Sequence, residues 1–141
     1  MSEFDKALSD RNVANAQRLM ALFGHDMPAF WAMVSPALHM ELPFAPTVRL
    51  PEVLEGEDAL GMFRTAAEVF DVKFNSVEVT PLADPHRVLV EYRGYGEPGG
   101  VVYDQRYVGV HEYRDDKLVF YREYFDTGVV TNALGAYLPP A

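Results

Sequence analysis

Polar and apolar residues alternate most regularly over residues 101–126, on both sides of the pair Asp115-Asp116. β-branched and aromatic residues at every second position are typical of β-strands. A pair of acidic residues between two such runs is typical of a hairpin with a two-residue turn. The pattern therefore predicts two long antiparallel strands that meet at Asp115-Asp116.

Counting outward from this turn predicts which side chains share a face of the hairpin, because directly opposed residues point to the same side. The predicted pairs are Tyr113 with Leu118, His111 with Phe120, Val108 with Glu123, and Arg106 with Phe125. This register places Glu123 among valines and aromatic residues, with Arg106 one diagonal step away.

Apolar residues at spacings of three and four predict three helices in the first half of the chain. The first is predicted from Ser9 or Asp10 to about Phe23, the second from Asp26 to a stop at Pro36, and the third over 56–70. Between the last two, alternation over 39–44 predicts a short strand. Residues 43–55 contain three prolines and are predicted to form a loop over a pocket.

The second half of the chain reads as strands, over 73–80 and 86–95 and then the hairpin, followed by a short helix in the tail. Helices followed by a run of antiparallel strands indicate an α+β fold. We expect a curved antiparallel sheet wrapped around the N-terminal helices, a cone-shaped α+β barrel of the cystatin-like type. Residues 1–141 are predicted to form one domain.

The composition limits the classes of partner that are expected. The chain has a net charge of −9 and contains no cysteine. Nucleic acids and anionic membranes both need a basic surface, so neither is an expected partner. The first residues show no signal-peptide pattern and no apolar run is long enough to span a bilayer, so a cytoplasmic protein is expected.

Glu123 is the residue whose predicted position suggests chemistry most directly. A carboxyl group on an apolar face has a raised pKa and can serve as a general acid or base near neutral pH. The alternative is a structural ion pair with Arg106. Arg106 would orient a bound anion or neutralise Glu123, and in either role it would lower the pKa of Glu123 and make it a base rather than an acid.

Around Glu123, the apolar residues of the predicted inner surface are candidates for the wall of a binding pocket, although each also suits a core. They are Met40, Leu42, Phe44, Trp31, Phe63, Val108 and Tyr121.

Three further polar positions are weaker candidates. Asp126 ends the last strand, where capping the tail helix is the favoured role. Glu91 is expected in a cross-strand or interface ion pair. His39 and Glu41 share one side of a short strand, but two ligands are too few for a protein metal site.

The opposite face of the hairpin carries Tyr107, His111, Phe120 and Tyr124, with Arg122 among them. Tyrosine, phenylalanine and arginine are enriched at subunit interfaces. We therefore expect a homodimer formed through the outer sheet face, with His111 at the interface or stacked on the surface.

Several stretches together resemble the nuclear transport factor 2-like superfamily, and within it the SnoaL-like proteins. The general resemblance rests on 54–60, on Tyr103-x-Gln105-x-Tyr107, and on 116–118 with 122–126. Residues 41–46, 90–96 and 133–135 are similar to the phenazine-biosynthesis A/B proteins. The resemblance implies a cone-shaped fold with an acid in the last strand, at Glu123 or Asp126, working in the pocket. Leu42 stands where ketosteroid isomerases carry their base.

Three functions follow as hypotheses. The first is an enzyme, an isomerase, cyclase or dehydratase, that uses Glu123 to move a proton within a small apolar, cyclic or polyketide-like molecule. No cofactor is expected, since the chain has no glycine-rich phosphate loop and no metal-ligand set. The second is a non-catalytic small-molecule-binding module. The third is a structural partner in an assembly, which predicts a filled pocket.

Overall fold

The computed structural model describes residues 3–140 and contains one six-stranded sheet with four helices. The helices are α1 (Lys6–Leu22), α2 (Met27–Ala32), α3 (Glu57–Arg64) and α4 (Thr127–Leu134). The strands are β1 (Val34–Glu41), β2 (Val53–Glu55), β3 (Lys73–Pro81), β4 (Arg87–Gly96), β5 (Tyr103–Arg114) and β6 (Lys117–Phe125). The predicted α+β class is confirmed.

The strands are ordered β2-β1-β6-β5-β4-β3 across the sheet. Strands β3 to β6 form an antiparallel meander, as predicted, while β1 runs parallel to β6. The sheet is therefore mixed, and the parallel pair was not foreseen. Within residues 3–140, no helix combines the length and the apolar composition needed to cross a membrane.

Aspartate side chains cap the beginnings of α1 and α2. Asp5 accepts from the backbone N–H of Leu8 and starts α1 one turn earlier than predicted, while Asp26 caps α2 as predicted. Such caps satisfy backbone N–H groups that have no partner within the helix. The buried face of α1, from Ala16 to Phe23, packs against the inner side of the sheet.

The predicted end of the second helix at Pro36 is wrong, because α2 ends at Ala32 and Pro36 lies within β1. The strand tolerates this proline where its pairing with β6 is irregular, between Val34 and His39. Residues 43–55 are also more regular than predicted, since they hold a short 3₁₀ helix (Ala45–Val48) and the edge strand β2.

The central hairpin turns at Asp115-Asp116 as predicted, and both residues have positive φ angles of 49° and 63°. The register beyond the turn differs from the prediction by one residue. Tyr113 pairs with Leu118, but Glu112 pairs with Phe120, so Val119 is an extra residue in β6. From this bulge to the far end of the hairpin, each β6 residue pairs with a β5 residue one position away from the predicted partner. Because side chains alternate between faces, the shift changes which β5 side chains share a face with Glu123.

Candidate active site

The bulge at Val119 decides which β5 residues accompany Glu123 on the inner face. Glu123 pairs with Gly109, and Tyr121 pairs with His111. The predicted pairs of Glu123 with Val108 and of Arg106 with Phe125 are therefore wrong. Tyr107 and His111, predicted on the outer face, are buried, whereas Arg106 and Val108 are exposed on the outside of the sheet.

Glu123 lines a cavity of about 220 Å³ between the inner face of the sheet and the helices. The wall is largely apolar and aromatic, with Met40, Leu42, Phe63, Phe74, Phe125 and Tyr121 among its residues. The C-terminal segment adds Leu134, Tyr137 and Leu138. Four of the predicted pocket residues, Met40, Leu42, Phe63 and Tyr121, thus lie where they were expected.

Two tyrosines hold one oxygen of the Glu123 carboxyl group. The hydroxyl of Tyr92, on β4, donates to Oε2 at 2.5 Å, and the hydroxyl of Tyr121 donates to the same oxygen. The two hydroxyls also contact each other at 2.6 Å. Both tyrosine rings are buried, so packing fixes the two hydroxyl groups that hold Oε2.

The second carboxyl oxygen, Oε1, is the part of Glu123 available to a ligand. It has no hydrogen-bonding partner within residues 3–140. Oε1 is also accessible. Within residues 3–140, His111 Nε2 is the one side-chain polar atom that is both buried and without a partner, so Oε1, which has no partner, is not a buried atom. Because Glu123 lines the cavity, its free oxygen is offered to whatever occupies that space.

Burial raises the pKa of Glu123 to about 7, and the hydrogen bonds from Tyr121 and Tyr92 act in the opposite direction. An ionised carboxylate loses its hydration in an apolar wall, which favours the protonated form. Burial also raises the pKa of both tyrosines well above the usual value, so they remain neutral donors. Glu123 can therefore exchange a proton near neutral pH.

A second pair of tyrosines contributes to the cavity wall. Tyr103 and Tyr107 lie four residues apart on β5, and their hydroxyl oxygens are 2.5 Å apart. The ring of Tyr107 stacks on that of Tyr92, with centroids 4.8 Å apart. Sequence reasoning missed Tyr92, Tyr103 and Tyr107 as site residues. The even spacing of Tyr103 and Tyr107 along β5 already placed these two on the same face of that strand.

The remaining predicted pocket residues lie elsewhere. Phe44 is exposed and packs on Tyr124, with ring centroids 5.4 Å apart. Trp31 is partly buried outside the cavity, under the guanidinium group of Arg64. Their predicted placement in the cavity wall is wrong.

Of the weaker polar candidates, Asp126 has structural partners, whereas Glu91 does not form the predicted cross-strand ion pair within residues 3–140. Asp126 caps α4 by accepting from the backbone N–H groups of Gly128 and Val129, as expected. Glu91 is exposed on the outer face, where Arg93 pairs with Asp104 at 2.9 Å.

His39 lies on the outer face between two carboxylates, at 2.8 Å from Glu55 and 3.0 Å from Glu41. Hydrogen bonds to Glu41 and Glu55 raise the pKa of His39. Within residues 3–140, no three histidine or acidic residues cluster as metal ligands.

Comparison with known proteins supports the fold. A phenazine biosynthesis-related protein from Pseudomonas aeruginosa has a similar structure, with 19% identity and a TM-score of 0.76 over 100% of this chain and 91% of its own. A proposed SnoaL-like polyketide cyclase from Jannaschia sp. CCS1 has 22% identity and a TM-score of 0.70, over 99% and 98% of the two chains. The chain has the nuclear transport factor 2-like fold. The fold that the sequence resemblance implied is thereby confirmed.

Two matches from Bacillus subtilis, one to a protein sequence and one to a solved structure, have higher sequence identity and extend the comparison. The uncharacterised protein YesE is 29% identical over 140 residues, which cover 96% of this chain and 91% of YesE. A proposed isomerase has 26% identity and a TM-score of 0.76, over 90% and 95% of the two chains. No protein-family model matches the chain. Among proteins with the nuclear transport factor 2-like fold, similar structures thus include proposed isomerases and polyketide cyclases.

Proposed function

We propose that the protein is a cofactor-independent enzyme that moves a proton within a small, largely apolar, cyclic or polyketide-like molecule. One observation carries the proposal: Glu123 offers a free oxygen to an apolar cavity and has a pKa of about 7. A group whose pKa lies near the working pH is efficient both in removing and in returning a proton. Isomerisation, cyclisation and dehydration each need such a step.

In this proposal the two oxygens of Glu123 have different roles. Oε1 accepts the proton from the bound molecule, while Oε2 remains held by Tyr92 and Tyr121. The two hydroxyls stabilise the carboxylate before the transfer and keep its orientation afterwards. The apolar wall excludes water, which strengthens each of these interactions.

The proton count in this cluster also favours reversible transfer. Three contacts join the oxygens of Tyr92, Tyr121 and Glu123, and each contact needs one proton. When Glu123 is ionised, the two hydroxyl protons fill the two contacts to Oε2. A proton added to Oε1 leaves these two hydrogen bonds in place. Both protonation states are therefore supported by hydrogen bonds.

The second candidate function is binding without chemistry. It is favoured by the absence of another carboxyl group and of histidine, lysine or arginine from the cavity wall within residues 3–140. For reactions that need a separate acid and base, the second group there would have to be a tyrosine hydroxyl, and burial raises the pKa of these hydroxyls. The third hypothesis, a structural subunit with a filled interior, does not account for a cavity of about 220 Å³.

The test is a screen of cyclic ketones, enones and lactones for turnover by the wild-type protein, the Glu123→Gln variant and the control Glu91→Gln. Glu91 is exposed on the outer face, so its loss changes total charge without touching the cavity. We expect turnover that Glu123→Gln abolishes and Glu91→Gln preserves. Equal turnover by both variants would remove Glu123 from the mechanism, and tight binding without product would favour the binding module.

The homodimer stays part of the proposal, with its interface revised. The outer sheet face carries Val108, Phe120, Arg122 and Tyr124 but not Tyr107 or His111. A single species with the mass of a monomer in gel filtration at micromolar concentration would contradict it. A cytoplasmic location likewise stays a prediction.

A further inference from the structure

The hydroxyl groups of Tyr103 and Tyr107 form a hydrogen-bonded pair in the cavity wall. Proton transfer at Glu123 does not use this pair. Both side chains line the cavity and are more than nine-tenths buried. Gly94 on β4 makes room for the second ring, since a Cβ atom there would lie 2.7 Å from Cε2 of Tyr107. The position of the pair is therefore determined by the backbone of two strands.

The pair has one proton more than its own hydrogen bond requires. Two hydroxyls carry two protons, and the contact between them uses one. No other side chain or backbone group within residues 3–140 accepts from either hydroxyl. One O–H group is thus left to donate, and the surface that both residues share is the cavity.

The charge of the cavity excludes anionic ligands. Glu123 can be negatively charged, and no lysine, arginine or histidine in the described chain lines the wall. An anion would be desolvated there without a counter-ion, which is strongly unfavourable. The negative charge of Glu123 also contributes to the raised pKa of Tyr103 and Tyr107, so both hydroxyls lie within its field and stay protonated.

The volume limits the size of the ligand. An apolar protein cavity of about 150 Å³ accommodates benzene. The cavity next to Glu123 measures about 220 Å³, which leaves room for a second small ring. Aromatic walls such as Phe63, Phe74 and Phe125 suit flat or nearly flat rings.

We propose that the cavity selects neutral molecules of one or two rings that carry a carbonyl-type oxygen, and that the Tyr103–Tyr107 pair recognises this oxygen. The inference deepens the proposed function, on which it rests for the role of the site. Recognition itself requires a hydrogen-bond donor, and the pair supplies one. Tyr103 and Tyr107 are then residues that determine specificity, while Glu123 acts on the bound molecule.

The experiment compares three ligands with the same two-ring skeleton, by NMR titration at pH 8. They are tetralin, 2-tetralone and 1,2,3,4-tetrahydro-2-naphthoate, which differ by no oxygen, a ketone and a carboxylate. We expect 2-tetralone to bind at least about fivefold more tightly than tetralin, as one hydrogen bond to a buried partner provides. The carboxylate is expected to bind most weakly, and the three-ring ketone 9-fluorenone more weakly than 2-tetralone.

The double variant Tyr103→Phe/Tyr107→Phe tests the pair itself. Either single variant leaves one hydroxyl with a free proton, so both must be removed. The double variant should bind tetralin about as well as the wild type does and lose its preference for 2-tetralone. The control Tyr95→Phe, an exposed tyrosine on β4, should keep that preference. If the double variant does not fold, the infrared carbonyl band of 2-tetralone bound to the wild-type protein replaces it, with a shift to lower frequency expected.

Equal affinities for tetralin and 2-tetralone, a preference for the carboxylate, or an unshifted carbonyl band would each overturn the inference. The proposed function is tested separately, by measuring how fast the protons next to the carbonyl group of 2-tetralone exchange with solvent in D₂O. Selective binding with exchange no faster than in Glu123→Gln would leave the recognition intact and contradict the catalytic role for this ligand. Exchange that depends on Glu123, without tighter binding of the ketone than of tetralin, would support the catalytic role and overturn the recognition by the tyrosine pair.

Discussion

The hydroxyl groups of Tyr92 and Tyr121 lie 2.6 Å apart, and both contact the same oxygen of Glu123. They come from strands that are not neighbours, because β5 lies between β4 and β6. Gly109 on β5 pairs with Glu123, and a Cβ atom at Gly109 would lie 3.6 Å from the Tyr92 hydroxyl. The chemical character of Glu123 thus depends on three strands together.

Tyr92→Phe should raise the pKa of Glu123 further. The variant removes a hydrogen bond to the ionised carboxylate, and such bonds lower the pKa of the acid. The expected rise is about one unit, since a hydrogen bond to a charged group contributes about 1.5 kcal/mol or more and one pKa unit corresponds to about 1.4 kcal/mol. NMR titration of ¹³C-labelled glutamate side chains measures it. In the control, Tyr95→Phe, the Glu123 titration should not move, and a fall in Tyr92→Phe would contradict the cluster described here.

Glu123→Gln should stabilise the folded protein above pH 7. Below the ordinary pKa of 4.5, Glu123 is protonated in both the folded and the unfolded state and has no effect on the difference between them. Between pH 4.5 and about 7, the unfolded state releases its proton while the folded state retains it, so the free energy of unfolding falls as pH rises. The variant avoids this loss, which amounts to at most about 3 kcal/mol.

Urea denaturation of the wild type and of Glu123→Gln at pH 5.0 and pH 8.5 tests this expectation. The difference in the free energy of unfolding between the two proteins should grow with pH in favour of the variant. Glu91→Gln provides the matched control, because it makes the same substitution on the exposed outer face, away from the cavity. A difference that does not change between the two pH values would mean that Glu123 has no raised pKa.

His111 should have the opposite effect on acid stability. Burial lowers the pKa of His111 to about 3, so the folded state keeps the ring neutral where the unfolded state binds a proton, below pH 6.5. The contribution of His111 to the free energy of unfolding should therefore fall as pH decreases from 6.5 towards 3. His111→Asn, which can still reach Tyr113, should lose this slope whatever its absolute stability. Urea denaturation at pH 6.5, 5.5 and 4.5 measures the slope, and an unchanged slope would contradict a buried neutral His111.

The sequence pattern predicted most elements because local rules determine them. Asp115-Asp116 suits a turn with positive φ at both positions, and Asp26 and Asp126 cap the helices that follow them. The inward direction of Glu123 was also predicted correctly. Its alternation with Tyr121 and Phe125 along one strand is enough for that.

What the pattern could not predict depends on contacts between strands. The extra residue Val119 in β6 leaves no mark in the alternation, yet it turns Tyr107 inward and Arg106 outward. Tyr92 reaches Glu123 because β4 pairs with β5 in a register that the glycine-rich connection concealed. Glu123 therefore contacts a cluster of tyrosines in place of the predicted Arg106. Burial keeps its pKa high, although the tyrosine hydrogen bonds act in the opposite direction.

Gly94→Ala should disturb the Tyr103–Tyr107 pair and destabilise the protein. The new Cβ would lie 2.7 Å from Cε2 of Tyr107 and 3.2 Å from Cγ1 of Val72, too close for either atom. Such overpacking costs about 1–3 kcal/mol. Gly61→Ala is the matched control, since no atom lies within 4 Å of its Cβ position and alanine suits the helix α3 better than glycine does. Urea denaturation should show a loss for the first variant and no loss for the second, and equal stabilities would contradict the close packing of Tyr107.

The measurement that tests the central claim most directly is an NMR titration of the Glu123 carboxyl carbon, assigned by its absence from Glu123→Gln. The account predicts a midpoint near pH 7, well above the midpoints of exposed glutamates. It further predicts that a ligand bound in the cavity shifts this resonance. A midpoint near the ordinary value of 4.5 would mean that Glu123 is a solvated carboxylate, and the proposed proton transfer near neutral pH would lose its basis.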